Sequence, residues 1–124
     1  THGDHWNPYT LAHLRALNVP LIAHPRHHDA LSRRAEHDPL RRAGLADTYA
    51  DGEWFTPARG LTVLPVEVPH DSPPTYGFRI EGRSADGAGW ALGFASDVGV
   101  ATPELLEALA GVDVLAVEYN HDVP

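Results

Sequence analysis

Three short apolar runs, each typical of a β-strand, are followed closely by ionisable residues. These runs and the residues after them are 61–68 with His70, 89–96 with Asp97, and 112–117 with Glu118 and His121. Loops at the ends of strands are where binding and catalytic side chains concentrate, because the sheet holds them rigidly. The sequence therefore predicts a sheet whose strand ends bring separate segments to one site.

The rest of the chain predicts further helices and strands around this sheet. Asn7, Pro8 and leucines at helical spacing predict a helix over 8–18. Thr102 and Pro103 open another helix, which ends before Gly111. The remaining predictions are strands over 19–23 and 53–56, an antiparallel hairpin of 75–83 with 89–96, and one or two short exposed helices over 26–45. The fold class is α/β.

Composition narrows the function classes. The chain has 124 residues, enough for one domain, and no cysteine, so any transition-metal site must use histidine and carboxylate. Its net charge is −8 and all nine basic residues are arginine, which argues against broad, non-specific phosphate binding. No run approaches the roughly 20 apolar residues of a membrane span, and no export signal is seen. We therefore expect a cytoplasmic protein without a membrane partner.

The segment Thr1-His2-Gly3-Asp4-His5 places two imidazoles and a carboxylate in a glycine-containing loop before the first helix. Such a loop can direct neighbouring side chains to different centres. Imidazole and carboxylate suit zinc, manganese or iron, and two ions about 3.5–4 Å apart can activate water and stabilise an oxyanion. The alternative is a polar N-terminal loop in which Asp4 is only a helix-start acid. The chemistry that the first interpretation suits is hydrolysis.

These residues resemble the metallo-β-lactamase superfamily. His2, Asp4 and His5 are similar to the end of its H-x-H-x-D-H motif, His70 to its next ligand histidine, and Asp97 to its S/T-D-x-G aspartate. The stretch 118–122, Glu-Tyr-Asn-His-Asp, resembles the E-x-N-H-D motif of the single-domain YycJ- or WalJ-like branch and the matching motif of ribonuclease Z.

The resemblance implies a role for each candidate residue. His2 and His70 would hold a first metal, Asp4 and His5 a second, and Asp97 would bridge the two zinc or manganese ions. Asp4 would also position a metal-bound hydroxide as nucleophile. His121 would protonate the leaving oxygen, and Glu118 would orient His121 as its partner.

The resemblance also implies an αββα sandwich, of which this chain is a part. The motif's first histidine would precede Thr1 and a last ligand would follow Pro124, so we expect residues 1–124 to be a single partial domain that lacks N- and C-terminal parts.

Three functions remain open from the sequence. The leading one is a dinuclear-metal phosphodiesterase or nuclease, with nucleic acid as substrate. The second keeps the metal centre but acts on small esters, lactones or amides, and the third is a non-catalytic metal-binding fragment. Five further histidines are assigned to surface or supporting roles: His13, His24, His27, His28 and His37. The arginines of 26–42 form either a solvated helical face or a contact for a nucleic-acid backbone.

Overall fold

The computed structural model describes residues 7–71 and 74–118. These residues fall into two compact units, 7–51 and 52–118. The first unit contains α1 (Pro8–Ala16), β1 (Leu21–Ala23), α2 (Pro25–Leu31), α3 (His37–Arg42) and β2 (Ala46–Thr48). The second contains β3 (Phe55–Ala58), β4 (Leu61–Glu67), β5 (Tyr76–Arg83), β6 (Gly89–Ala95), α4 (Pro103–Leu109) and β7 (Val114–Val117). This mixture confirms the predicted α/β class.

Leucine packing holds the first unit together. The Asn7 side chain accepts the Tyr9 N–H at 2.9 Å and so caps α1, with Pro8 in the first helical position. The parallel strands β1 and β2 pair from Leu21 with Ala46 to Ala23 with Thr48. The buried core consists of Leu11, Leu21, Leu31 and Leu40. Each helix therefore presents one apolar face to a shared interior.

One expectation for this unit needs correction, and one of its strands was not predicted. The helices over 26–45 are not simply exposed, because each buries a histidine and a leucine: His27 and Leu31 in α2, and His37 and Leu40 in α3. Only the outer faces of α2 and α3 are exposed as predicted. Strand β2 was not predicted, because its sequence Ala-Asp-Thr has neither an apolar run nor β-strand alternation and it is defined by its pairing with β1.

The second unit is built on a five-stranded sheet in the order β3-β4-β5-β6-β7. The predicted hairpin is confirmed, since β5 and β6 are antiparallel from Phe78 with Phe94 to Arg83 with Gly89. Helix α4 packs on this sheet through Leu105, which lies in a buried cluster with Val66 and Val68 of the β4 segment. The Thr102 hydroxyl caps α4 by accepting the Leu105 N–H at 3.2 Å.

Strand direction decides where the candidate residues lie. Strands β4 and β5 are antiparallel, as are β5 and β6, whereas β6 and β7 are parallel. Strands β4, β6 and β7 therefore run in the same direction, and their carboxyl ends lie at one edge of the sheet. Within 7–71 and 74–118, no helix has the length and apolar character needed to cross a bilayer.

Candidate functional site

The three described candidate residues lie at this common edge. His70 follows β4 by three residues and is half-buried, and Asp97 follows β6 by two residues and is also half-buried. Glu118 follows β7 directly and is exposed. The structure thus places His70, Asp97 and Glu118 in loops at the ends of three strands that point the same way.

The loops that carry His70 and Asp97 approach each other closely. A Cβ atom built on Gly99 would lie 3.3 Å from the carbonyl oxygen of Pro69. Pro69 directly precedes His70, and Gly99 is two residues after Asp97. The absence of a side chain at Gly99 therefore allows the two loops to come together, a role that the sequence alone did not reveal.

Asp97 has an unusual backbone conformation. Its φ is +58°, in the left-handed region that aspartate and asparagine enter more readily than most residues. Its carbonyl oxygen accepts the Gly99 N–H at 3.1 Å. The neighbouring Ser96 hydroxyl donates to Asp97 Oδ2 at 2.9 Å. The turn and the hydroxyl together fix both the backbone and the carboxylate of Asp97.

Glu118 joins the end of β7 to this turn. Its N–H donates to the Ala95 carbonyl at 3.0 Å, which continues the pairing of β6 with β7 by one residue. Its carboxylate Oε2 accepts the Asp97 N–H at 2.6 Å. A charged acceptor makes this a strong hydrogen bond. The sequence placed Glu118 beside His121, and its contact with the Asp97 backbone was missed.

Four of the seven predicted site residues, His2, Asp4, His5 and His121, lie outside the described residues. Their roles therefore stay predictions, including the orientation of His121 by Glu118. Among the residues that the structure describes, no group of three or more histidine, aspartate or glutamate side chains could hold a metal ion. His70 and Asp97 are the part of the predicted ligand set that the structure places.

The histidines of the first unit form a different arrangement. His13 is exposed, as expected, but His27 and His37 are buried, which excludes a surface role for these two and leaves the predicted supporting role. His28 Nε2 donates to the Asp47 carbonyl at 2.7 Å, since a carbonyl can only accept. In neutral His28, Nδ1 is then the acceptor, and it lies 2.9 Å from His37 Nε2.

The environment of His37 disfavours its charged form. Burial is the main cause that lowers the pKa of His37, and unfavourable electrostatic interactions with His28 and Arg41 lower it further. The Asp38 carboxylate acts in the opposite direction. His37 is therefore held as a neutral hydrogen-bond donor to His28.

The described part of the second unit has a groove at the other end of the strands. It has a volume of about 520 Å³, and its lining includes Thr62, Arg83, Trp90 and Asp113. Trp90 packs over Gly82, where a Cβ atom would come within 2.4 Å of the indole ring. His70, Asp97 and Glu118 do not line this groove.

Comparison with known proteins identifies the family. A family model for the beta-lactamase superfamily domain matches residues 1–122. The chain therefore belongs to the metallo-β-lactamase superfamily, and the predicted fold class is confirmed.

Two solved structures are similar to this chain. Zn²⁺-bound PqqB from Methylobacterium extorquens matches with a TM-score of 0.66 and 28% identity over 87% of this chain and 36% of that chain. MEM-A1, a subclass B3 metallo-beta-lactamase from a soil metagenome library, matches with a TM-score of 0.49 and 15% identity over 81% of this chain and 48% of that chain. No curated protein gives a significant match. This chain spans about a third of the length of the PqqB chain.

Proposed function

We propose that this chain supplies part of the active site of a dinuclear-metal-dependent hydrolase that cleaves phosphodiesters. The observation that carries the proposal is the placement of His70 and Asp97 in touching loops at the ends of β4 and β6. Both are ligand types for divalent metals, and membership of the superfamily supports hydrolysis.

His70 and Asp97 are suitable in type for a metal site that the N-terminal residues would complete. Asp97 offers a carboxylate whose Oδ2 is already oriented by the Ser96 hydroxyl, and His70 offers an imidazole from the adjoining loop. Such outer hydrogen bonds orient metal ligands in proteins. His2, Asp4 and His5 would complete the ligand set, with zinc or manganese as the ion. The zinc in the PqqB structure supports zinc for the relatives of this chain.

Two divalent ions, when bound, would lower the pKa of water and neutralise negative charge on the group being cleaved. Residues of the chain would orient the nucleophile and protonate the leaving group. Asp4 would orient the attacking water, which would lose a proton to solvent as its oxygen forms a bond to phosphorus and the bond to the leaving oxygen breaks. His121 would give its proton to that leaving oxygen and would later recover one from solvent.

The phosphodiester class is supported by the sequence at 118–122, which resembles the YycJ- or WalJ-like branch and ribonuclease Z. We propose membership of that branch and nucleic acid as the substrate. The net charge of −8 weighs against a long electrostatic contact with nucleic acid. A short segment or an end of a strand fits this charge better than a long duplex.

A substrate comparison tests the proposal. The full-length protein, loaded with zinc or manganese, is assayed with a chromogenic phosphodiester, a lactone and a chromogenic β-lactam. We expect turnover of the phosphodiester, loss of turnover with a chelator, and recovery when metal is returned. Asp97→Asn should abolish turnover, whereas the matched carboxylate change Asp113→Asn, at the far end of the sheet, should not.

The other outcomes identify the alternatives. Turnover of only the lactone or β-lactam would overturn the phosphodiester assignment and favour a hydrolase of small substrates. Tight binding of metal without turnover of any of the three substrates would favour the non-catalytic domain. Absence of metal binding by the full-length protein would refute the proposal as a whole.

A further inference from the structure

Two carboxylates bracket the parallel pair of β6 and β7. At one end, Asp113 Oδ2 accepts the Ala91 N–H at 2.7 Å. At the other end, Glu118 Oε2 accepts the Asp97 N–H at 2.6 Å. The two hydrogen bonds are similar in type and length, but only the second involves a predicted metal ligand. This similarity provides a natural control within the same strands.

The Asp97 turn needs such support. The left-handed region is less favourable than ordinary backbone conformations for a non-glycine residue, although aspartate enters it more readily than most. Residues in such conformations persist where their surroundings fix them. The Asp97 N–H and C=O are both engaged, by Glu118 and by Gly99. Of these two, only Glu118 reaches the turn from another strand.

We propose that Glu118 is a positioning residue that holds Asp97 in its left-handed turn, and so fixes the direction in which the Asp97 carboxylate is presented to a divalent metal. This role differs from the orientation of His121 that the sequence predicts for Glu118, because it acts through the backbone of Asp97. The consequence for metal binding rests on the proposed function, whereas the constraint on the turn does not.

The local geometry favours this role over simple strand pairing. The Glu118 N–H already donates to Ala95, so the backbone alone continues the ladder. The Glu118 carboxylate makes a separate hydrogen bond, to the N–H of Asp97, two residues after Ala95. Removal of the carboxylate would leave the ladder in place and release the Asp97 N–H.

The test uses three variants of the full-length protein. Glu118→Ala removes the acceptor, Glu118→Gln keeps a carbonyl oxygen that can accept the Asp97 N–H, and Asp113→Ala removes the matching bond at the opposite end. The first measurement is hydrogen exchange of the Asp97 amide in metal-free protein. The second is zinc affinity, together with the visible spectrum of the cobalt-substituted protein, which reports ligand geometry.

We expect Glu118→Ala to speed exchange of the Asp97 amide at least tenfold and to weaken zinc binding by about 10–100-fold, the range for residues that orient metal ligands. Its cobalt spectrum should change as well. Glu118→Gln should restore both properties to within about threefold, and Asp113→Ala should leave them unchanged. A merely structural role would make Glu118→Ala and Asp113→Ala equivalent.

Two results would overturn the inference. Unchanged exchange of the Asp97 amide in Glu118→Ala would show that the hydrogen bond does not constrain the turn. Faster exchange with unchanged zinc affinity and cobalt spectrum would show that the constraint does not reach the carboxylate. A wild-type protein that binds no metal would instead refute the proposed function, and the exchange measurement would still decide whether Glu118 holds the turn.

Discussion

Replacement of Asp97 by asparagine should separate metal binding from folding. Asparagine has nearly the same shape, enters the left-handed region readily, and can accept the Ser96 hydroxyl with its amide oxygen. Asp97→Asn therefore keeps the turn at φ +58° and the local hydrogen bonds. We expect the free energy of unfolding of the metal-free protein to change by less than about 1 kcal/mol, the scale of one such hydrogen bond.

Metal binding should respond very differently, because a neutral amide replaces a negative ligand. A ligand at 100 times its dissociation constant stabilises the native state by about 2.7 kcal/mol. If Asp97→Asn weakens zinc binding 100-fold, the same zinc concentration stabilises the variant by only about 0.4 kcal/mol. The predicted loss of zinc-induced stabilisation is thus about 2 kcal/mol.

Urea denaturation of the full-length protein with and without zinc measures both quantities. Asp113→Asn is the matched control, since the Asp113 carboxylate also accepts a hydrogen bond, from the Ala91 N–H, but lies at the far end of the sheet. Equal zinc-induced stabilisation of Asp97→Asn and wild type would refute the assignment of Asp97 as a ligand. A large decrease in the free energy of unfolding of metal-free Asp97→Asn would refute the argument that asparagine preserves the turn.

Three further predictions concern other parts of the chain. Gly99→Val should weaken zinc binding about tenfold or more, because the valine side chain would meet the Pro69 carbonyl. The control Gly89→Val has open space for its side chain and should bind zinc like the wild type. Equal zinc affinities of the two variants in a titration would contradict this prediction. Since the pKa of His37 is lowered by burial, the unfolded chain takes up a proton first, and the free energy of unfolding should fall as the pH drops below about 6.5 toward that lowered pKa. Denaturation at several pH values should show that the free energy of unfolding depends less steeply on pH in His37→Asn than in the wild type. An unchanged pH dependence would argue against this role of His37. Leu40→Ala should destabilise the protein by about 2–5 kcal/mol in urea denaturation, because Leu40 is fully buried, and a change below 1 kcal/mol would show that its core contributes little.

The strands at the candidate site could be predicted from the sequence because each is a short apolar run, with β-branched residues in β4 and β7. The position of Asp97 after β6 and of His70 after β4 followed directly from these runs. Capping residues were equally readable, as Asn7 and Thr102 show.

The contact between Glu118 and the Asp97 backbone could not be predicted in the same way. The two residues are 21 positions apart, and their contact depends on the register of β6 with β7. Burial of His27 and His37 was missed because a histidine within a short polar helix gives no sign of which face packs inward. The metal ligands of the N-terminal motif remain predictions, since they lie outside the described residues.

Strand β7 has a practical consequence for work with residues 1–124. In the described part of the second unit, β6 is its only strand neighbour, and Val114, Leu115 and Val117 are each more than half exposed. A sheet margin with free backbone groups and apolar side chains is a template on which other chains can add strands. Preparations of residues 1–124 should therefore be checked for self-association by light scattering before any measurement of metal binding is interpreted.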